Sequence, residues 1–101
     1  MTLLKKQHFS FFDMAYQGFV LSDPDKDAFP IRMFANNGMD MCITQSFTEN
    51  FGLYGERVGW LSFINQNEYE ANAIKSQIQI ICRNECSNPP KFGDYLVNLI
   101  L

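Results

Sequence analysis

Asp13, Tyr16, Ser46 and Arg57 put a carboxylate, a phenol, a hydroxyl and a guanidinium into one short chain. Arginine beside a serine hydroxyl suits a phosphate, because the guanidinium fork donates paired bonds to its oxygens. A carboxylate held opposite suits a protonated heteroatom. One ligand satisfying all four would carry an anionic end and a protonatable ring. Each residue also has a plainer reading. Asp13 could simply cap a turn after a strand, and the more distant Arg83 could be a helix-end cation favoured by the dipole.

The four can act together only if the backbone brings them to one edge. HFSFFDMAYQGFV (8–20) opens with an aromatic, β-rich run, which predicts a buried strand over 8–13 with Asp13 at its end. SDPDKD (22–27) reads as a turn, with Pro24 presetting φ and the aspartates favouring Asx turns. A helix is expected over roughly 27–36; Pro30 is tolerable there only in the first turn, and Asn37-Gly38 supplies a left-handed cap. MDMCITQS (39–46) is the second strand, so strand, helix and strand form a βαβ unit with parallel strands and a right-handed crossover. RVGWLSFI (57–64) is the third. The connection before it is too short for a crossover, so antiparallel pairing is expected. Ligands bind at the carboxyl ends of parallel strands. That placement gathers Asp13, Tyr16, Ser46 and Arg57 at one crevice.

Beyond this unit, EYEANAIKSQIQIICR (68–83) carries Ile74, Ile78, Ile81 and Cys82 on one helix stripe. SNPP (87–90) stops that helix, and FGDYLVNLIL (92–101) begins another. Strands 8–13 and 57–64 are expected to be open sheet edges with no interior charge to blunt pairing. A complete α/β layer carries more strands, with helices on both faces. Residues 1–101 therefore read as the central piece of a larger domain.

Composition excludes several classes. A chain of 101 residues is one domain at most, and 47% hydrophobic with 15% aromatic residues is a globular balance. A net charge of −3 offers no basic face for nucleic acid. No apolar run is long enough for a membrane span, and MTLLKKQHF lacks the features of a leader, so a cytoplasmic, reducing setting is expected. Cys42, Cys82 and Cys86 are odd in number and poor material for a disulfide framework. Buried thiols are the expected reading. A metal site would need more than Cys82, Cys86 and His8, the only histidine, so none is expected.

FFDMAYQGF (11–19), QSFTENFGLYGERVG (45–59) and SNPP (87–90), in register, resemble the aspartate aminotransferases, pyridoxal-phosphate enzymes of fold type I. The likeness runs over residues 8–101. It implies an α/β fold: an incomplete three-layer large domain, with the βαβ unit, an antiparallel strand and two C-terminal helices. It also implies roles. Asp13 would pair with the pyridinium nitrogen, Tyr16 would bond the ring's phenolic oxygen, and Ser46 and Arg57 would hold the phosphate. Arg83 would read the distal carboxylate of a dicarboxylic amino acid in a neighbouring subunit's site, with Ser87 and Asn88 near that boundary.

The resemblance also exposes a gap. Glu49 occupies the position of the lysine that binds the cofactor covalently and moves the proton. The family's glycine-rich phosphate loop and the arginine for the substrate α-carboxylate have no counterparts in these residues. The expectation is therefore an inactive aminotransferase-like chain with weak or absent cofactor binding. Other readings are a split transaminase that borrows a lysine, a protein docking on a full-length aminotransferase subunit or on itself, and a gene remnant without function.

Overall fold

The computed structural model describes residues 5, 6 and 8–101, so the reading of the first nine residues as no leader falls partly outside them. MCITQS is the most deeply buried strand because it lies in the middle. It forms β2, Met41–Ser46, between β1, Ser10–Met14, and β3, Gly59–Ile64. β1 runs parallel to it, with Ser10 opposite Met41 and Asp13 opposite Thr44. β3 runs antiparallel, with Met41 opposite Ile64 and Ser46 opposite Gly59. Both orientations are those expected from the connection lengths.

The β1–β2 connection holds two helices where the sequence predicts a turn and one helix. α1, Pro24–Asp27, is short, with Asp23 as N-cap and Pro24 in its first turn. The Asp23 carboxylate accepts from the amides of Asp25 at 3.0 Å and Lys26 at 3.2 Å. The Lys26 amide and then its ammonium hold the Asp23 carboxyl below its ordinary range. Ala28 joins α1 to α2, Phe29–Asn36, where Pro30 sits in the first turn as required. Gly38, at φ 66°, provides the left-handed exit. α2 covers one sheet face, with the Phe34 ring edge-on to Phe12 at 5.0 Å between centroids.

Between β2 and β3 lies a helical turn that the sequence reading omits, α3, Phe47–Asn50. β3 starts at Gly59, not at position 57, because Arg57 sits at φ 50° and breaks the extended run. Gly59 is needed where the strands meet: a Cβ there would lie 2.8 Å from the Gln45 carbonyl oxygen. α4, Glu68–Glu85, is capped by Asn67, and its Ile74 and Ile78 share a groove with Leu61 and Phe63. α5, Lys91–Ile100, approaches the α3–β3 connection closely, since a Cβ on Gly93 would meet Glu56 at 2.9 Å and Val58 at 3.0 Å.

The molecule is a slab of 42 × 37 × 19 Å with a radius of gyration of 15.2 Å. A compact chain of this length has a radius near 13 Å. Its accessible surface is 7614 Å², whereas a compact monomer of this mass exposes about 5,900 Å². Phe11, Trp60 and Leu99 are among the large apolar side chains left more than half exposed. Two expectations fail here. Cys42 is buried, but Cys82 and Cys86 are exposed: Cys82 borders the open groove between α4 and β3, and Cys86 lies at the helix end. Asp13 lies within β1 and is exposed, so that edge does carry a charge. Among the described residues, no helix is long and apolar enough to cross a membrane.

Candidate functional site

Alternation along β1 and β2 decides which side chains share a face. Asp13 stands opposite Thr44, whose hydroxyl lies 3.4 Å from the Phe12 carbonyl oxygen and 3.5 Å from Asp13 Oδ1 and can donate its one proton to either. Ser46, two residues on, continues that face to the carboxyl end of β2. Gly59 stands opposite Ser46, so Arg57, two residues earlier, lies at the same sheet end. Asp13 and Tyr16 line a groove of about 640 Å³ together with Leu21 and Phe29. Ser46 and Arg57 are outside its lining. The first two thus share a cavity, while the second two share the sheet end.

The loop after Tyr16 is fixed by an interaction the sequence reading misses. Asp27, expected as a helix start, closes α1 and turns its carboxylate back onto the loop. It accepts from the amides of Gly18 at 2.7 Å, Val20 at 3.2 Å and Leu21 at 3.2 Å. Three backbone N–H groups around one carboxylate form an anion-holding nest. The pairing spans six to nine residues with no regular period, so only the Asp23-Pro24 start of α1 hinted at it. Asp27→Ala should orphan these donors and speed exchange of the three amides by roughly tenfold or more, the scale of a bond to a charged acceptor. Unchanged hydrogen exchange at Gly18 would contradict the pinning.

Ser46 ends β2 and begins α3, accepting from the Thr48 amide at 3.2 Å. Thr48 is buried, and its hydroxyl donates to the Val58 carbonyl at 3.4 Å, tying α3 to the start of β3. Glu49 follows in the first turn. Its Oε2 is buried without a hydrogen-bond partner, as is Oδ1 of the adjacent Asn50. Buried polar atoms are normally paired, and an unpaired carboxylate oxygen is costly.

Arg57 is exposed, and its guanidinium makes one marginal bond, to the Tyr54 carbonyl at 3.5 Å. The ion pairs among the described residues are Lys26–Asp23 and Arg32–Asp25, so the Arg57 charge is unpaired. A positive φ at a non-glycine residue is strain that often marks a functional position. Arg83 lies on the last turn of α4 and donates to Ser87 Oγ at 2.9 Å, with Ser87 also left-handed at φ 61°. This pair is a separate feature on α4, and Asn88 follows it in the turn.

These residues suit non-covalent contact with a phosphorylated pyridine. Asp13 offers an exposed acceptor, Ser46 retains its O–H after accepting from Thr48, and Arg57 offers a free cation. Glu49 does not suit covalent attachment, because a carboxylate cannot condense with an aldehyde. No group of three or more potential metal ligands occurs among the described residues.

Asp13 in β1, Tyr16 just after it and Arg57 just before β3 are thus carried on one three-stranded sheet of order β1-β2-β3. The chain matches the family model for aminotransferase class I and II over residues 1–101, and it belongs to that family. It is 51% identical over 96 residues to the mitochondrial aspartate aminotransferase of Arabidopsis thaliana, covering 95% of this chain and 22% of that one. It is 45% identical over 97 residues to the cytoplasmic aspartate aminotransferase of Caenorhabditis elegans, covering 96% and 24%. An aromatic-amino-acid aminotransferase of Burkholderia pseudomallei, solved covalently bound to pyridoxal phosphate, superposes with a TM-score of 0.89 at 38% identity, covering 94% and 24%. The chain thus spans less than a quarter of the length of these relatives. The solved neighbours are fold-type-I aminotransferases, and the mixed α/β architecture agrees with the fold class read from the sequence.

Proposed function

We propose that residues 1–101 are an aspartate aminotransferase-like part of a large domain that holds pyridoxal phosphate weakly, without a covalent bond, and does not transaminate. The observation that carries this reading is Glu49, set in the first turn of α3 with one carboxylate oxygen buried and unpaired. The resemblance of QSFTENFG to the family's motif implies that Glu49 takes the position of the reactive lysine. The family reaction moves an amino group between aspartate and 2-oxoglutarate. Pyridoxal phosphate, when bound, supplies the electron sink for it.

On this reading Asp13 accepts from the ring nitrogen and Tyr16 donates to the ring oxygen. Ser46 and Arg57 hold the phosphate, and Glu49 repels it. Arg83 is the cation for a dicarboxylic substrate, held ready by Ser87 and offered to a neighbouring subunit. A cytoplasmic, reducing location suits the free Cys82 and Cys86, although the relatives include both mitochondrial and cytoplasmic enzymes.

Titration of the chain with pyridoxal phosphate, followed by borohydride reduction and peptide mass mapping, tests the reading. Weak saturable binding with no adduct at the groove is expected. Adducts confined to Lys75 or Lys91 mark surface labelling, whereas a stoichiometric adduct on any lysine at the groove overturns the proposal.

A second reading is favoured by the exposed surface. The excess over a compact monomer, about 1,700 Å² by the size relation, is ample for one side of a standard interface of about 800 Å² per partner. The chain would then dock on a full-length aminotransferase subunit. Sedimentation with a purified aspartate aminotransferase should show a joint species if this holds, and two independent boundaries if it does not.

A further inference from the structure

Two of the three thiols lie one helical turn apart at the end of α4. Cys82 and Cys86 are free, exposed and four residues apart, at the last turn of α4. Cys86 is the C-cap, at φ −129° and ψ 0°, so it has already left helical geometry. Its thiol folds back over the final turn, with Sγ 3.3 Å from the Cys82 carbonyl oxygen, and its amide donates to the same oxygen at 3.1 Å. We propose that Cys82 and Cys86 are a modification site: a dithiol that closes to an intrahelical-end disulfide when it meets a small-molecule disulfide such as oxidised glutathione.

The chemistry balances with that one co-reactant. A thiolate at one cysteine attacks a glutathione sulfur, forms a mixed disulfide and expels glutathione thiolate. The second cysteine, as thiolate, attacks the protein sulfur of that mixed disulfide and expels the second glutathione. Two protein thiols are oxidised, the glutathione disulfide is reduced to two thiols, and the two thiol protons end on the released glutathione. The second step is favoured because its nucleophile is already held on the same turn.

Geometry sets what closure does. Helix neighbours four apart hold their Cβ atoms roughly 5–6 Å apart, and a disulfide requires roughly 3.5–4.5 Å. The turn must therefore tighten or uncoil. The change can be absorbed at Cys86, which is non-helical, and at Ser87, whose φ of 61° already turns the chain away. Arg83 and Ser87 bridge the same turn through their 2.9 Å bond. Cys42 is buried, and desolvation raises its thiol pKa, which leaves it as an internal unreactive reference.

The test is exposure of the intact chain to oxidised glutathione under native conditions, followed by intact-mass and peptide mapping. The expected product is a monomer lighter by two hydrogens, with a Cys82–Cys86 cross-link and Cys42 still free. Cys82→Ser and Cys86→Ser should each instead retain one glutathionyl group, because the resolving thiol is gone. Stable glutathionylation of both cysteines in the unsubstituted chain would overturn the proposal, as would cross-linked dimers in place of the internal bond or no reaction at either thiol.

Discussion

Glu49→Lys should bind pyridoxal phosphate more tightly than the unsubstituted chain and still fail to transaminate. The substitution removes a buried, unpaired carboxylate oxygen, and on the proposed reading it replaces a negative by a positive charge beside the cofactor's phosphate. A gain of about tenfold in affinity, or roughly 1.4 kcal/mol, is the scale of one such change in partly screened surroundings. Catalysis needs more than the amine. Positioning of reacting groups accounts for about 7–11 kcal/mol of a barrier, and the family's phosphate loop and α-carboxylate arginine have no counterparts in these residues. Cofactor titration, with an assay on aspartate and 2-oxoglutarate, measures both halves. Turnover within about tenfold of an ordinary enzyme, whose rates centre near 10 per second, would show that Glu49 alone silences the site.

The second large effect concerns association. The 101-residue chain should sediment as a concentration-dependent mixture, and Phe11→Lys should shift it towards monomer. Phe11 is 64% exposed on β1, an edge of the sheet among the described residues. A lysine there adds an ammonium to an edge that otherwise presents unpaired backbone and aromatic surface. Asp13 does not protect the whole edge, because it shares a face with Phe11 but sits one residue from the carboxyl end of β1, leaving the start of the strand without a charge. A compact monomer with one cooperative melt, unaffected by Phe11→Lys, would mean that the slab satisfies its own edges.

Much of the architecture was legible because connection length and periodicity constrain it. The long path from β1 to β2 and the short path from β2 to β3 dictated parallel and antiparallel pairing, as found. The placements of Pro30 and Gly38 followed from backbone limits on proline and glycine. What escaped was local geometry that several residues decide together. α1 was hidden because Asp23-Pro24 fits a turn as well as a capped helix start. α3 was hidden because four residues show no period. The burial of Cys82 was misjudged because a stripe records which face is apolar, not whether anything covers it. At the site, residue types gave the order of Asp13, Ser46 and Arg57 along the sheet. The left-handed backbone at Arg57 and the Asp27 nest arise from contacts that no spacing encodes.

The double duty of Ser46 bears on how such a chain ages. Its hydroxyl ends a strand and starts a helical turn by accepting from the Thr48 amide, whatever else it does. A lineage that had abandoned the cofactor would still be selected to keep a small hydroxyl or carboxylate side chain there. Arg57 has no such second employment. Its guanidinium holds one marginal bond, and glycine or asparagine would relieve its backbone. On the proposed reading, in which both residues hold a phosphate, drift at position 57 would be the more sensitive record of relaxed selection for that contact, and Ser46 the less informative one.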